Sequence, residues 1–213
     1  MKSALILTGG WEGHQPSQLA DRLTAELEPL GFKAVSQTSL EVLDDAEALR
    51  SWDIIIPNWT MGALTKEQSA NFTGAVHGGV PLAGMHGGAG DAFRGDLNYE
   101  WMMGGHFVGH PHVGDYTVRF IDRVSPITAG LPAEFAYHSE QYYLLVDPGI
   151  EVLAETDYLY EGRVCRMPVA WTKQWGRGRI FYTALGHTPA EFDQFPVVLD
   201  LFLRGIRWAA GLL

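Results

Sequence analysis

The stretch Val80-Pro-Leu-Ala-Gly-Met-His-Gly-Gly-Ala-Gly-Asp91 joins a short apolar run to a group of glycines around one histidine. The apolar residues predict a buried strand. The glycines predict a sharp turn, since glycine accepts backbone conformations that other residues avoid. A strand, a tight turn with one reactive side chain at its tip, and a following helix form a nucleophile elbow. Here the tip residue is His86 rather than a serine or a cysteine.

Strands and helices alternate through the first half of the chain. Apolar strands are predicted at 4–8, 32–36, 52–57 and 80–85, and helical segments at 16–30, 40–49 and 66–76. This alternation predicts an α/β fold with a doubly wound, mostly parallel sheet of the flavodoxin-like type. The C-terminal half is predicted to add further strands, at 116–122, 150–156, 164–172 and 180–185, and a closing helix at 197–209. No repeat, low-complexity segment or linker interrupts the pattern, so residues 1–213 are interpreted as a single domain.

Composition excludes several classes of protein. The net charge is −10 and the basic residues are scattered, which argues against nucleic acid or an anionic membrane as partner. No run approaches the roughly 18 apolar residues of a membrane span, and the apolar N-terminal run is too short for a signal peptide. The only cysteine, Cys165, excludes an internal disulfide and is interpreted as structural. We expect a cytoplasmic protein and leave a homo-oligomer open.

Ligands of open α/β sheets bind beyond the carboxyl ends of the strands. Three loops, at 9–14, 58–60 and 86–91, are therefore predicted to converge on one edge of the sheet. His187 also follows a predicted strand, and Glu191 comes shortly after it, as a base and its orienting carboxylate would. Glu191 has an alternative interpretation as a favourable charge in the first turn of a helix.

Histidines are the most informative candidate site residues. An unperturbed imidazole titrates near neutral pH, which suits metal ligation, general acid–base catalysis or hydrogen bonding to a substrate. The segment 104–112 is predicted to be a loop that carries three of the histidines, of which His110 is preferred to His106 and His112. Four histidines are therefore candidate metal ligands, namely His14, His86, His110 and His187. No HExxH motif or phosphate-binding loop with lysine is present.

A carboxylate and several aromatic residues complete the candidate site. Strand alternation over 139–143 places Glu140 and Tyr142 on one face, and Glu140 is interpreted as a site acid or as a partner of a histidine. Its alternative role is an ion pair with an arginine. Trp11, Trp59 and Tyr142 are candidates for contact with a sugar ring. Asp91 is a candidate substrate-binding residue, with a helix cap as the alternative.

Five segments in the same order resemble the ThuA-like, or trehalose utilisation, family over nearly the whole chain. They are Gly9-Gly-Trp-Glu-Gly-His14, Gly84–Arg94, Gly104–Pro111, Ser139-Glu-Gln-Tyr-Tyr143 and Trp175–His187. The resemblance implies a fold similar to class I glutamine amidotransferases. It places His86 where those enzymes carry their nucleophilic cysteine, and His187 where they carry the triad histidine. It also implies a link to the catabolism of disaccharides that have been oxidised to keto sugars.

These observations predict an enzyme of carbohydrate metabolism that acts on a keto sugar or a disaccharide. His86, His187 and Glu140 are the predicted catalytic residues, and a divalent metal, zinc first, is the predicted cofactor. The alternative is a non-catalytic protein that binds a sugar or metabolite on an amidotransferase-like scaffold. Glutamine amidotransferase activity is not expected, because an imidazole at position 86 is a poor replacement for a thiolate.

Overall fold

The computed structural model describes residues 1–213, and its nine strands belong to one sheet. The strands are β1 Lys2–Gly10, β2 Phe32–Gln37, β3 Ile54–Thr60, β4 Leu82–Met85, β5 Gly105–Phe120, β6 Glu134–Val146, β7 Ile150–Tyr160, β8 Arg163–Trp175 and β9 Gly178–Thr183. The α-helices are α1 Pro16–Leu27, α2 Ala46–Arg50, α3 Lys66–His77, α4 His86–Gly90, α5 Leu97–Met103, α6 Pro189–Gln194 and α7 Pro196–Ala209. None of these helices combines the length and the apolar character needed to cross a membrane.

The sheet is mixed, and the prediction of a mostly parallel sheet is wrong. Its strand order is β2-β1-β3-β4-β9-β8-β7-β5-β6. The first five strands in this order are parallel to one another, and the remaining neighbours pair in antiparallel fashion. β7, β8 and β9 follow one another through short turns, whereas the longer segment 121–133 joins β5 to β6. Short turns suit antiparallel pairs, because a parallel pair needs a longer crossover.

Burial on both faces explains the parallel half of the sheet. Residues 4–7 of β1 and 54–56 of β3 are fully buried, as continuous apolar strands covered by helices should be. On α1 the buried residues Leu19, Leu23 and Leu27 face this sheet, which confirms the predicted helical spacing. Leu30, the fourth leucine of that series, lies instead in a short 3-10 turn at Glu28–Leu30.

Two local predictions differ from the structure. The helix predicted over 40–49 is divided into a 3-10 turn, Leu40–Leu43, and the short helix α2. Asp45 caps the backbone N–H groups of Glu47 and Ala48, so it starts a new helix within the predicted one. The predicted loop at 104–112 belongs to β5, which pairs with β6 from Gly105 onward and has irregular register between 107 and 112.

The hairpin of β5 and β6 brings residues of the second half toward the parallel strands. β5 pairs with β7 only through Arg119 and Phe120, so most of the hairpin has no backbone pairing with β7. The side-chain amide of Gln141 on β6 donates hydrogen bonds to the Thr156 hydroxyl and to the Asp157 carbonyl oxygen on β7. These contacts fix the stretch of β6 that carries Glu140 and Tyr142.

Two helical glycines allow a matched test of the packing between helices and sheet. A Cβ atom at Gly205 of α7 would overlap the Phe181 ring on β9, whereas a Cβ at Gly74 of α3 would meet nothing within 4 Å. We expect Gly205→Ala to lower the free energy of unfolding by about 1–3 kcal/mol through overpacking. Gly74→Ala should raise it by about 0.5–1 kcal/mol, because alanine loses less backbone entropy in a helix. Urea unfolding measures both values. Equal effects of the two substitutions would contradict this packing.

Candidate active site

Small residues around His86 allow other parts of the chain to approach it. His86 begins α4 directly after β4 and has a φ angle of 41°, a left-handed conformation that is costly for a non-glycine residue. A Cβ at Gly87 would overlap the His14 ring, and a Cβ at Gly88 would lie 3.0 Å from the Asn58 backbone. The Tyr182 hydroxyl donates to the His86 carbonyl oxygen at 3.2 Å and holds the turn in place. The glycines predicted to mark an elbow thus provide close approach as well as a turn.

The ring of His86 is held through both of its nitrogen atoms. Nδ1–H donates to the carbonyl oxygen of Ala184 at 2.9 Å, since that oxygen can only accept. Nε2 lies 3.2 Å from Glu140 Oε2 and 3.1 Å from His187 Nδ1. His86 and His187 are 101 positions apart in the sequence, and the sheet brings them into contact.

Glu140 occupies the centre of the cluster and connects it to the surface. Its Oε2 faces His86 and also lies 3.6 Å from His187 Nδ1, while its Oε1 lies 3.5 Å from Nε2 of His110. The side chain of Glu140 is 13% exposed, and that of His110 is 39% exposed. Tyr142, on the same face of β6, lies against the His86 ring at a centroid distance of 4.2 Å.

His14 completes the cluster from the opposite side. It lies at the end of a short 3-10 turn after β1 and is only 5% exposed. Its Nδ1 is 2.6 Å from the hydroxyl of Thr60, and its ring centroid is 4.9 Å from those of both His86 and His187. Trp11, which is 47% exposed, packs edge-on against the His14 ring at the outer side.

Glu191 does not orient the His187 ring, and it lies in the first turn of α6, as its alternative interpretation expected. Its carboxylate accepts hydrogen bonds from the backbone N–H of His187, at 2.9 Å, and from the hydroxyls of Ser139 and Tyr137. The Tyr137 hydroxyl in turn accepts from the backbone N–H of Gly186. Glu191 therefore fixes the loop that carries His187 to β6, whereas the carboxylate beside the His187 ring is that of Glu140.

The cluster shifts the pKa values of its own members. Burial, reinforced by positive charge on His86 and His187, lowers the pKa of His14 from its ordinary 6.5 to about 3. Burial also lowers the pKa of His187. For Glu140, burial alone would raise the pKa. The hydrogen bond from His86 and the charges of His86, His187 and His110 outweigh it, and the pKa falls to about 2. Glu140 is therefore ionised near neutral pH.

Not every predicted residue reaches the cluster. Trp59 alternates with Asn58 and Thr60 along β3, and it packs instead on Gly9 and Gly62. Asp91 ends α4 and accepts two hydrogen bonds from Arg94, at 2.5 and 2.7 Å. His106 and His112 contact Glu100 and the Asp115 carbonyl oxygen, away from His86. Cys165 is a free, exposed cysteine on β8. The catalytic and substrate-binding roles of the other named residues stay predictions.

Some contact residues gave no signal in the sequence. Thr60 and the carbonyl group of Ala184 each bond a cluster histidine, but a threonine at a strand end and a backbone oxygen are common in any chain. Arg94 was a detectable candidate, because it lies three residues after Asp91 and an arginine beside a buried carboxylate forms an ion pair.

The donor atoms of the cluster fit a divalent metal ion. His14, His86, Glu140 and His187 each offer one ligand atom, and these four atoms lie within 4.8 Å of one another. Nitrogen and oxygen ligands lie about 2.0–2.1 Å from zinc, so two of them at a tetrahedral angle are about 3.3 Å apart. The spacings of 3.1, 3.2 and 3.6 Å among His86, Glu140 and His187 match that value. The bond from His86 Nδ1–H to Ala184 orients this ring as a metal-bound histidine requires.

Comparison with known proteins agrees with this architecture. A ThuA-like protein from Bacteroides uniformis aligns at 22% identity with a TM-score of 0.78, over 98% of this chain and 91% of that one. A ThuA-like protein from Parabacteroides merdae aligns at 20% identity and the same TM-score, over 99% and 90% of the two chains. A β-galactosidase from Bacillus circulans sp. alkalophilus aligns at 15% identity and a TM-score of 0.58, over 98% of this chain and 30% of that one. No curated protein matches.

These likenesses define the class as a mixed α/β protein with the ThuA-like fold. The family model of ThuA, described as trehalose utilisation, matches residues 3–209. The chain therefore belongs to the ThuA family, which confirms the resemblance found in the sequence and links the chain to carbohydrate use. A specific likeness to glutamine amidotransferases stays a prediction.

The buried imidazole of His14 predicts a pH dependence of stability. Between pH 6.5 and about 3 the unfolded chain binds a proton at His14 that the folded chain excludes. Stability should therefore fall as the pH is lowered through this range, by at most about 1.4 kcal/mol per pH unit from this group. In His14→Asn this contribution to the slope should disappear, and in His112→Asn, which changes an exposed histidine, it should remain. Urea unfolding of metal-free protein at several pH values measures the slopes. An unchanged slope in His14→Asn would contradict the burial of this ring.

Proposed function

We propose that this chain is an enzyme of carbohydrate metabolism that acts on a keto sugar or keto-disaccharide. It holds a divalent metal ion, for which zinc is the preferred candidate. The observation that carries the proposal is the convergence of His86, His187 and Glu140, whose ligand atoms lie 3.1–3.6 Å apart. Membership of the trehalose utilisation family supports the substrate class. The likeness to part of a β-galactosidase is consistent with sugar chemistry, although at 15% identity it concerns the fold alone.

Three imidazoles and one carboxylate form a donor set suited to catalytic zinc. His86, His187 and Glu140 would hold the ion, and His14 would contribute the fourth ligand or contact the substrate. When bound, a divalent cation supplies Lewis acidity, which polarises a carbonyl group or lowers the pKa of water. A keto sugar offers such a carbonyl group. The lowered pKa values of His14 and His187 keep their nitrogen lone pairs free of protons at neutral pH.

The side chains at the mouth of the cluster bind the substrate and move protons. Glu140 and the half-exposed His110 form a pair that leads from the buried histidines toward solvent. This pair can pass a proton between the substrate and bulk water. The exposed ring of Trp11 supplies apolar contact for a sugar ring, whereas Tyr142 is only 4% exposed and packs against His86 and Phe107. Burial raises the pKa of Tyr142 well above 10, so its hydroxyl stays a neutral hydrogen-bond donor.

We further propose that the protein is cytoplasmic, binds a small sugar ligand and has no nucleic-acid or membrane partner. The alternative function is binding without turnover on a scaffold whose elbow carries an imidazole instead of a nucleophile. The φ of 41° at His86 suits either function, because strained backbone occurs both at catalytic sites and at ligand-binding sites. Measurements of metal binding and of turnover separate the two functions.

Metal affinity tests the ligand set. Isothermal titration of zinc into metal-depleted protein should give one site per chain. His86→Ala and Glu140→Gln should each weaken it by at least about 100-fold, because each removes a ligand or its charge. The control His112→Ala changes a histidine outside the cluster and should bind zinc as the unaltered protein does. Zinc binding that is the same in His86→Ala and in the control would remove the metal from the proposal.

Turnover tests the enzymatic role. Zinc-loaded protein should convert at least one member of a panel of 3-keto-disaccharides, with product followed by mass spectrometry. His110→Ala should lower kcat by about 10²–10⁴-fold, because it removes a group that transfers protons. Zinc affinity should stay within a few-fold, because His110 contacts Oε1 of Glu140, whereas Oε2 faces His86 and His187. Tight binding of a keto sugar without product, at full zinc occupancy, would establish the binding function instead.

A further inference from the structure

Arg94 follows α4 in the chain and lies close to the aromatic residues that pack against the histidine cluster. Its guanidinium carbon is 5.8 Å from the centre of the Phe107 ring. The same ring is 4.5 Å from that of Tyr142 and 5.6 Å from that of His110. Tyr142 in turn packs on His86 at 4.2 Å. One aromatic ring therefore separates Arg94, whose side chain is 54% exposed, from the side chains that contact the cluster.

A buried carboxylate holds the guanidinium group of Arg94 by one edge. Nε and Nη2 donate to the two carboxylate oxygens of Asp91 at 2.5 and 2.7 Å, and the Asp91 side chain is only 4% exposed. The third nitrogen, Nη1, donates to no group of the protein. The hydrogen bonds to Asp91 are the main cause of the raised pKa of Arg94, and the neighbouring Tyr142 side chain adds to the shift. Nη1 is thus an oriented donor without an acceptor.

The hydroxyl of Tyr142 gives an independent indication of a ligand. Tyr142 is 4% exposed, yet its hydroxyl bonds no group of the protein. The buried hydroxyls that are both unbonded and closed off from solvent are those of Ser69 and Tyr158, so the Tyr142 oxygen remains accessible. A Cβ at Gly87 would overlap the His14 ring and lie 2.9 Å from this oxygen, which places the hydroxyl at the cluster itself. A nearly buried donor without a partner costs free energy, and an acceptor from a ligand would remove that cost.

An ion pair with a purely structural role does not account for both features. Arg50 pairs with Glu47 at the same spacing of three residues, but these side chains are 57% and 88% exposed, so neither offsets the burial of the other. The buried carboxylate of Asp91 does need a partner, which explains the bonds to Nε and Nη2 of Arg94. It does not explain a free Nη1 near an unbonded tyrosine hydroxyl.

The charges around Arg94 favour a neutral oxygen atom over an anion. Asp91 already balances the guanidinium charge. Asp91 and Glu140 both act on Tyr142, where they reinforce the effect of burial and raise the pKa of its hydroxyl further. An anionic group at this hydroxyl would meet the repulsion of both carboxylates. A sugar hydroxyl carries no charge and has two lone pairs that accept from N–H and O–H donors.

We propose that Arg94 is a specificity-determining residue that, together with the Tyr142 hydroxyl, binds the hydroxyl oxygens of a neutral sugar beside the histidine cluster. Arg94 donates from Nη1 and Tyr142 donates from its hydroxyl. Asp91, a predicted substrate-binding residue, acts through Arg94 as a positioning residue. The inference rests on the proposed function, because it names the chemistry of the substrate at the same site.

Conservative variants test the two donors. Arg94→Lys keeps a positive charge for Asp91 but removes Nη1, and Tyr142→Phe removes the hydroxyl while keeping the ring. Isothermal titration of metal-free protein with 3-keto-trehalose should show about tenfold weaker binding in each, because each loses a donor to the sugar. Arg50→Lys makes the same change in the exposed pair and should bind as the unaltered protein does. Zinc affinity should stay within a few-fold in all three variants, because none changes a ligand of the cluster.

A second variant guards against loss of the fold. Asp91→Asn combined with Arg94→Gln removes both charges of the buried pair and leaves no unpaired carboxylate. It should weaken binding of 3-keto-trehalose by about tenfold, as Arg94→Lys does. Thermal unfolding of each variant confirms that the loss of affinity belongs to folded protein.

Turnover and an acidic sugar separate the outcomes. In zinc-loaded Arg94→Lys, KM should rise by about tenfold, more than kcat falls, and glucuronate should bind no more tightly than glucose. A Kd of Arg94→Lys or Tyr142→Phe equal to that of Arg50→Lys, or a preference for glucuronate that depends on Arg94, would overturn the inference without removing the enzymatic role. Weaker binding in both variants, with no turnover by the unaltered protein, would support the inference and remove the enzymatic role. Binding of no sugar by the unaltered protein would overturn both.

Discussion

Three electron-rich atoms face one another at the carboxyl edge of the sheet, and their mutual repulsion is the main constraint on this site. The Nδ1–H of His86 is committed to the Ala184 carbonyl oxygen, so a neutral His86 presents a lone pair at Nε2. That lone pair lies 3.2 Å from the ionised carboxylate of Glu140 and 3.1 Å from a nitrogen of His187. A proton between these atoms, on Nδ1 of His187 or on Nε2 of His86, or a metal ion in its place, relieves this repulsion.

The fold holds this arrangement together from several directions. The glycines after His86 let His14 and Asn58 approach the turn closely. The Tyr182 hydroxyl fixes the backbone of this turn through its hydrogen bond to the His86 carbonyl oxygen. Glu191 ties the loop of His187 to β6, the strand that also carries Glu140. Each ligand therefore comes from a different element, and its position is set by hydrogen bonds outside the cluster. Such support is what a preorganised site needs, because a loosely held ligand set would move apart under its own repulsion.

The sequence predicted the parallel half of the fold and most of the cluster, and the reasons are local. Buried runs such as residues 4–7, and glycines around His86, carry signals within a few residues. Further strands were predicted in the second half, but their antiparallel direction was not, because strand direction depends on partners distant in the chain. The glycines of 104–112 suggested a loop where β5 begins. The orientation of Trp59 depends on the register of β3, because a shift of one residue in register moves every side chain of a strand to the other face of the sheet. Glu140 was predicted to partner a histidine, but spacing could not show that His187 is one of its partners, because the two residues lie on different elements.

The central claim is that His86 keeps its proton on Nδ1 and offers Nε2 to a shared cation. Long-range ¹H–¹⁵N NMR of the imidazole rings, recorded with and without one equivalent of zinc, tests it directly. The account predicts a protonated Nδ1 on His86 in both states, with zinc-dependent changes at Nε2 of His86 and at Nδ1 of His187. An unprotonated Nδ1 on His86, or rings of His86 and His187 that do not respond to zinc, would contradict it.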